Sequence, residues 1–222
     1  SPSLSAIELN AATSIALKEG IRHRIIYTDE LEAESYVANT PMRCYFCKQE
    51  LYTKLHEIAK EEGLKVVLNG ANTDDLGDFR PGLKAAREHG VRSPLVETRL
   101  EKSEIRTLSR LRGLSTWDKP SQACLSSRIP YGTPVSIETL RRIEEAEDFI
   151  RSIGIGQVRL RHHGAVARIE VESKDMSILF EETNRINILQ RLRELGYTFV
   201  ALDLAGFQSG SLNAMLSSRP VQ

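Results

Sequence analysis

Helical and strand-like patterns alternate along the first half of this sequence. Apolar residues recur at helical spacing from Ile7 to Ile15, and residues 22–28 then have the composition of a strand. A second helical stripe covers residues 46–62, and the short apolar run 64–68 ends in the polar loop 69–82. This alternation predicts an α/β protein with a parallel sheet. Because ligands bind at the carboxyl ends of parallel strands, we expect a pocket at residues 69–82.

The second half has a different pattern. Ser103 is the predicted N-cap of a helix over residues 103–111, and Ser136 that of a helix over 137–153. Residues 157–161 and 166–171 alternate in polarity around a turn and predict a β-hairpin, followed by a helix over 176–195 and a strand over 198–204. We place a domain boundary in the loop 115–135. The prediction is a parallel-sheet domain, 1–129, followed by a small α+β domain, 130–222.

Composition excludes several classes of protein. The chain has 222 residues with 30 basic and 30 acidic side chains, so no net charge draws it to nucleic acid or to an anionic membrane. No apolar run approaches the roughly 20 residues that span a bilayer. Three cysteines do not suggest a disulfide framework. We expect no membrane association and a reducing cytoplasm.

The three cysteines are the strongest candidates for chemistry. Cys44 and Cys47 form a C-x-x-C, and Cys124 lies far along the chain in the loop 115–135. Three thiolates can hold three irons of a [4Fe–4S] cluster and leave the fourth iron open for a reactant, whereas such clusters normally have four cysteine ligands. The spacing is equally compatible with a redox dithiol, with half of a zinc site, or with inert buried thiols.

Two further groups of residues could bind ligands. The loop 69–82 clusters carboxylates and glycines, which suits Mg²⁺ or a nucleotide, although the same residues form ordinary surface turns. Arg159 and Arg161 lie two apart on a predicted strand, so both leave the same face and could bind phosphate. The alternative is an exposed, salt-bridged sheet face. Ser127 and Arg128 beside Cys124 could bind phosphate or form a turn.

Taken together, four stretches resemble the LarE family, ATP-dependent sulfur insertases of the PP-loop ATP pyrophosphatase superfamily. The resemblance covers nearly the whole chain. It is carried by the C-x-x-C segment 43–48, the loop 69–83, the segment 123–132 around Cys124, and a C-terminal segment that contains Asp203, Gly206 and Phe207. It implies a Rossmann-like PP-loop domain followed by a small α+β domain, and a homo-oligomer, with the hexamer as a known state.

One family motif is absent from this sequence. The Ser-Gly-Gly-x-Asp-Ser turn that binds phosphate in the family lies upstream of the point at which this chain begins. The parallel sheet is therefore expected to be incomplete at its N-terminal side, and the chain as printed is expected to hydrolyse ATP poorly or not at all.

The resemblance also implies a reaction. Such enzymes use ATP and Mg²⁺ to adenylylate a carboxylate of pyridinium-3,5-biscarboxylate mononucleotide and then deliver sulfur, as a step toward the nickel-pincer nucleotide of lactate racemase. Some members sacrifice the sulfur of one cysteine, and others use a [4Fe–4S] cluster held by three cysteines. The placement of the three cysteines favours the cluster route here.

The residue roles that the resemblance implies fall into four groups. Cluster ligation and sulfur delivery fall to Cys44, Cys47 and Cys124. The nucleotide is expected at Gly70, Asn72, Asp75, Asp78 and Arg80. The substrate phosphate is expected at Ser127, Arg128, Arg159 and Arg161. A divalent metal is expected at Glu147 and Glu170.

Two other functions stay open on the sequence. The first is a PP-loop enzyme that thiolates tRNA through a three-cysteine cluster, which the neutral charge disfavours because phosphate contacts dominate affinity for RNA. The second is a non-catalytic module that binds a metal or a nucleotide.

Overall fold

The computed structural model describes residues 1–77, 80–120 and 122–208. Its α-helices, numbered α1 to α9, span Ala6–Lys18, Glu34–Val37, Arg43–Glu61, Pro81–Glu88, Pro94–Glu97, Lys102–Leu111, Ile137–Ser152, Met176–Phe180 and Glu182–Glu194. The strands β1, β2 and β3 span Val158–His163, Val166–Val171 and Phe199–Leu202. The chain divides into two units, Ser1–Gln122 and Ala123–Gln222. Residues 123–129 therefore belong to the second unit, whereas the predicted first domain included them.

The first unit is built around α3, which packs against α4. Of the apolar stripe predicted for this helix, Ala59 is buried in a small core and Leu55 packs against that core. Gly63, in the left-handed region at φ 66°, follows the end of the helix as the sequence predicted. The core consists of Tyr52, Ala59, Val67, Ala85, Ala86 and Val91.

Two strands predicted in the first unit are not strands in the structure. Residues 22–28 and 64–68 have no regular secondary structure, and the only pairing described for either is an isolated parallel bridge between Leu68 and Arg92. Apolar side chains on these segments are exposed, including Ile25 at 44% and Leu68 at 52%. An apolar pattern gives a segment its strand propensity, but a ladder also requires a neighbouring strand. The Rossmann-like parallel sheet thus stays a prediction.

The second unit contains a small mixed sheet in the order β1-β2-β3. β1 and β2 form the predicted antiparallel hairpin, and β3 runs parallel to β2. One face of the sheet is apolar and buried: Leu160 and Val171 are fully buried, as are Leu140, Ile143 and Ile150 on α7. α7 packs on β1 and on α9. The predicted cap of α7 is confirmed, because the Ser136 hydroxyl accepts from the Thr139 N–H at 3.1 Å.

Two helix boundaries differ from the sequence prediction. The N-cap of α6 is Glu101, not Ser103, because the Glu104 side chain reaches back to the Glu101 N–H at 2.9 Å in a capping box. The single helix predicted over 176–195 is broken at Glu181, whose extended backbone separates α8 from α9. No helix among the described residues has the length and apolar character to cross a bilayer.

Candidate functional site

A charged face covers the side of the sheet opposite the apolar core. The register pairs Arg159 with Glu170 and Arg161 with Arg168. Directly paired residues of an antiparallel hairpin lie on the same face, so these four side chains share one surface. We call these four residues the arginine face. The sequence alone could not fix this arrangement, because a shift of one residue in the register would place the two strands' charges on opposite faces.

Arg161 is held at three points on the arginine face. Its guanidinium donates to the two carboxylate oxygens of Glu170 at 2.9 and 2.7 Å, and its third donor reaches the Ser127 carbonyl at 2.8 Å. Arg168 approaches Glu170 to 3.2 Å and also pairs with Asp203. Asp203, Arg168, Glu170 and Arg161 thus form one chain of ion pairs that ends on the segment carrying Cys124.

Glu147 on α7, itself fully buried, is the centre of a second ion-pair group. Its carboxylate accepts two bonds from Arg128, at 2.8 and 2.9 Å, and one from Arg151 at 2.6 Å. It also accepts the Leu160 N–H at 3.0 Å and so satisfies the outer edge of β1. Burial alone would raise the pKa of Glu147, but the hydrogen bonds and charges of Arg128 and its neighbours outweigh it and hold the pKa below its usual range.

Arg128 connects Glu147 to the backbone of Cys124. While two of its nitrogens engage Glu147, its Nη1 donates to the carbonyls of Ala123 and Cys124 at 2.6 and 3.0 Å and lies 3.1 Å from Ser127 Oγ. The fork geometry of a guanidinium allows these contacts at once. The Cys124 backbone is therefore fixed by a buried arginine, while its thiol is partly exposed.

Arg159 lies among like charges on the same face. It is 3% exposed, and Nη1 donates to the Val158 carbonyl at 2.9 Å. Burial, and then the charges of Arg128 and other nearby arginines, lower its pKa to about 10. The positive charges of the neighbouring arginines make this position favourable for an anion, since an anion relieves their mutual repulsion.

The C-x-x-C lies at the N-terminal end of α3, in the first unit. Cys44 and Cys47 are three residues apart, so both side chains leave the same face of the helix. Cys44 is exposed and Cys47 partly exposed, and neither is in a disulfide.

The predicted nucleotide loop is organised by its own side chains. Asp75 accepts the Asn72 N–H at 3.1 Å and pairs with Arg80 at 2.9 Å, and Asn72 accepts the Asp74 N–H at 3.0 Å. Gly70 is exposed and has open space around its Cα. The Nδ2 of Asn69 is buried and has no hydrogen-bond partner among the described residues. Asp78 lies outside the described residues.

Comparison with known proteins decides the family. No family model matches the chain. An uncharacterized protein of Synechocystis sp. is 43% identical over 98% of this chain and 81% of its own length. The pyridinium-3,5-bisthiocarboxylic acid mononucleotide synthase of Lactiplantibacillus plantarum is 36% identical over 95% of this chain and 75% of its own length. The chain belongs to the LarE family. An uncharacterized protein of Methanocaldococcus jannaschii is 30% identical over 94% of this chain and 79% of its own length.

In this LarE protein, the predicted phosphate residues are clustered within the second unit. Arg128 and Arg161 both contact the segment 123–127, and Ser127 contacts both of them. Arg159 is electrostatically coupled to Arg128 and Arg161. Cys44 and Cys47 belong to the first unit and Cys124 to the second, so ligation of one cluster by all three stays a prediction.

The two carboxylates predicted to bind metal are engaged with arginines instead. Both oxygens of Glu147 and both oxygens of Glu170 accept hydrogen bonds from guanidinium groups. No group of three or more metal-ligating side chains is found in the described part of the chain. In this arrangement the carboxylate oxygens of the two glutamates are occupied by arginines and do not form a metal site. Metal binding by Glu147 and Glu170 stays a prediction.

Several residues of the site had no role assigned from the sequence of this LarE protein. Arg151 pairs with Glu147 at helical i,i+4 spacing, a signal that is readable once the helix is placed. Asp203 and Phe207 reach the arginine face from a turn after β3. Both lie in a stretch that carried the family resemblance, but no periodicity connects them to β1 or β2.

Proposed function

We propose that this LarE protein catalyses ATP-dependent sulfur insertion into pyridinium-3,5-biscarboxylate mononucleotide. The observation that carries the proposal is the 36% identity, over 95% of this chain, with a protein named for synthesis of the corresponding bisthiocarboxylic acid mononucleotide. The buried arginines around the Cys124 segment support it, because the substrate is a phosphomonoester and needs an anion site.

The chain's own part in substrate binding is to hold the phosphate. Arg159 and Arg161 project from one face of β1, and Arg128 and Ser127 lie beside the Cys124 backbone. Burial and then the charges of nearby arginines lower the pKa of Arg159, and an anion among these groups offsets the repulsion between the arginines. The phosphate thus anchors the substrate near Cys124, and positioning of this kind is a main source of catalysis.

Activation by ATP has a chemical reason. A carboxylate oxygen leaves poorly, so the carboxylate first attacks the α-phosphorus of ATP, forms an acyl adenylate and releases pyrophosphate. A sulfur nucleophile then attacks the acyl carbon, AMP leaves, and a thiocarboxylate remains. We assign nucleotide contacts to the loop that holds Gly70, Asn72, Asp75 and Arg80, together with Asp78.

The sulfur source that we propose is a [4Fe–4S] cluster held by Cys44, Cys47 and Cys124. The donor set fits, because thiolates are the usual ligands of such clusters and none of the three cysteines is in a disulfide. When bound, the cluster would supply a soft sulfur nucleophile. Mg²⁺ accompanies ATP, and no step is assigned to a metal at Glu147 or Glu170. Free thiols suit a reducing cytoplasm, and we expect a homo-oligomer, such as the family's hexamer.

Anaerobic purification with iron and sulfide analysis tests the cluster. About four irons per chain are expected in the wild type, and Cys124→Ala is expected to lose most of them. Zinc, or no metal, would leave a structural site or a sacrificial thiol as the explanation.

An activity assay tests the reaction. The protein extended at its N-terminus by the family's phosphate loop is incubated with ATP and the pyridinium substrate, and AMP and thiocarboxylate are measured by mass spectrometry. Absence of AMP release contradicts the proposal. Retention of labelled tRNA, with thiolation of that tRNA, would favour the tRNA-modifying enzyme.

A further inference from the structure

A tight turn after β3 lies against the arginine face. We call residues 203–207 the 203–207 turn. The Asp203 carboxylate accepts the Ala205 N–H at 2.9 Å, and the Gly206 N–H donates to the Asp203 carbonyl at 3.0 Å. The Phe207 N–H then donates to the Val171 carbonyl at 2.8 Å, which fastens the turn to the end of β2.

The turn makes one contact with each of two arginines. Asp203 pairs with Arg168, which also contacts Glu170 and so joins the ion pairs that hold Arg161. The Phe207 ring lies over Arg159, with the guanidinium carbon 5.2 Å from the ring centroid. This distance is within the range of an attractive cation–π contact. The turn therefore stabilises two arginines of β1. It acts on Arg161 indirectly, through the ion pairs of Arg168 and Glu170, and on Arg159 directly, through the aromatic ring.

Gly206 is what allows the turn to approach so closely. Its φ is 68°, and a Cβ at this position would lie 2.8 Å from the Val171 carbonyl oxygen and 3.1 Å from the Met176 Cε. The methionine end could move, but the carbonyl belongs to the β2 backbone and cannot. Any side chain at residue 206 must therefore push the turn, and Phe207 with it, away from the sheet.

We propose that Phe207 is a positioning residue that orients the Arg159 guanidinium toward the phosphate of the substrate. The inference rests on the proposed function. Its physical basis is the position of the Phe207 ring over the Arg159 guanidinium, which also donates to the Val158 carbonyl and lies near the charges of Arg128 and Arg161. An aromatic face attracts a guanidinium without adding a negative charge, so it can fix Arg159 without competing with an incoming phosphate.

This arrangement suits a phosphomonoester ligand, whose charged phosphate binds to an arginine that is already oriented. The test therefore measures how much the phosphate contributes to binding. Binding of nicotinate mononucleotide, a pyridinium-3-carboxylate mononucleotide, is compared with binding of its nucleoside, which lacks the phosphate. The ratio of the two dissociation constants measures the phosphate contribution. A merely structural role of Phe207 would weaken both ligands alike, whereas a positioning role changes the ratio.

The first variants change the ring itself. Phe207→Leu keeps an apolar side chain and is expected to weaken mononucleotide binding about 3- to 10-fold, the size of a cation–π contact, while nucleoside binding stays within about twofold. Phe207→Tyr keeps the aromatic face and is expected to restore the ratio. Unchanged phosphate preference in Phe207→Leu would overturn the inference.

A matched pair of glycine variants tests the approach of the turn. Gly206→Ala introduces the clash with the Val171 carbonyl and is expected to reproduce the Phe207→Leu phenotype. The control is Gly164→Ala in the hairpin turn, where φ is 61° but no atom lies within 4 Å of the added Cβ. Both variants strain the backbone alike, so only the displaced turn distinguishes them. Equal effects on the phosphate ratio would contradict the inference.

The outcomes also separate this inference from the proposed function. A wild-type protein that binds mononucleotide no better than nucleoside contradicts the phosphate site and the inference together. Clear preference for the mononucleotide in the wild type, with the same preference in Phe207→Leu and Gly206→Ala, contradicts the inference alone.

Discussion

The two units of this protein differ in what they expose and what they bury. The first unit leaves apolar side chains of the segments 22–28 and 64–68 in solvent, with Tyr27 at 79% and Leu68 at 52% exposure. The second unit buries charges, with Arg128 at 2%, Glu147 at 0% and Glu170 at 1% exposure. One unit thus has apolar surface without a covering partner among the described residues, and the other has ions removed from water.

The buried charges indicate which part of the second unit is functional. Burying an ion costs free energy unless the ion is paired and hydrogen-bonded, and replacing such pairs by apolar residues often stabilises a protein. A domain that keeps several buried arginines is therefore not organised for stability alone. In this LarE protein these arginines surround the Cys124 segment, which agrees with a site for an anionic substrate.

The largest effect is expected from removing the central carboxylate of the second unit. Glu147→Gln leaves the Arg128 and Arg151 charges without their shared counter-ion, and we expect a loss of about 3–5 kcal/mol in the free energy of unfolding. Urea unfolding at pH 7 measures it. The control is Glu138→Gln, in an ion pair with Arg142 whose glutamate side chain is 81% exposed, where a loss of less than about 1 kcal/mol is expected. Similar losses in both variants would contradict the buried network.

The next largest effect on the free energy of unfolding is expected from a leucine truncation, and it differs between the two units. Leu160→Ala creates a cavity in the closed core of the second unit, where Leu160 is 0% exposed, and is expected to cost about 2–5 kcal/mol. Leu68→Ala removes a half-exposed side chain from the first unit and is expected to cost less than about 1 kcal/mol. Equal losses by urea unfolding would show that the 64–68 segment is covered in solution, and the contrast between the units would then fail.

The same contrast explains which elements were predictable from sequence. The hairpin of β1 and β2 was predicted, because both strands and their turn are adjacent in the chain and local alternation is enough to define them. The segments 22–28 and 64–68 have equally good patterns, yet a strand further requires a partner, which no local pattern supplies. Helices such as α3 and α7 need no partner for their hydrogen bonds, and both were predicted.

The candidate site was predictable in composition but not in arrangement. The alternation of Arg159 and Arg161 placed both on one face, and the structure agrees. The fork between Arg161 and Glu170 depended on the hairpin register, which sequence did not fix. The contact of Phe207 with Arg159 joins residues that are far apart in the chain, so no periodicity could reveal it.

A third prediction separates the two arginines of β1. Arg159→Gln is expected to cost less than about 1.5 kcal/mol in the free energy of unfolding, because burial and the charges of neighbouring arginines disfavour the cation that it removes, which offsets the lost hydrogen bond to the Val158 carbonyl. It should nevertheless weaken nicotinate mononucleotide binding about 10- to 100-fold. Arg161→Gln removes the fork to Glu170 and the bond to the Ser127 carbonyl, so it should cost about 1.5–3 kcal/mol in stability as well. Unfolding curves and calorimetric titration measure both quantities, and equal destabilisation would contradict the distinction.

The smallest effect concerns a histidine on the apolar face of the second unit. His162 is 7% exposed, and its Nδ1 lies 3.1 Å from the Tyr197 hydroxyl. Burial, followed by the charges of Arg142 and His163, lowers the pKa of His162, so the folded state resists its protonation. The unfolded chain takes up this proton below about pH 6.5, which means that stability is complete above that pH and is lost as the pH falls below it.

His163, which is more exposed, acts in the same direction, since partial burial and the charges of Arg168 and Arg161 lower its pKa too. The urea midpoint of the wild type should therefore be lower at pH 5.5 than at pH 7.5, and His162→Gln should reduce that difference. His23→Gln, at an exposed position in the first unit, is the control and should leave it unchanged. If His23→Gln reduced the pH dependence as much as His162→Gln, the acid sensitivity could not be assigned to the second unit, and the energetic contrast between the two units would be lost in this range of pH.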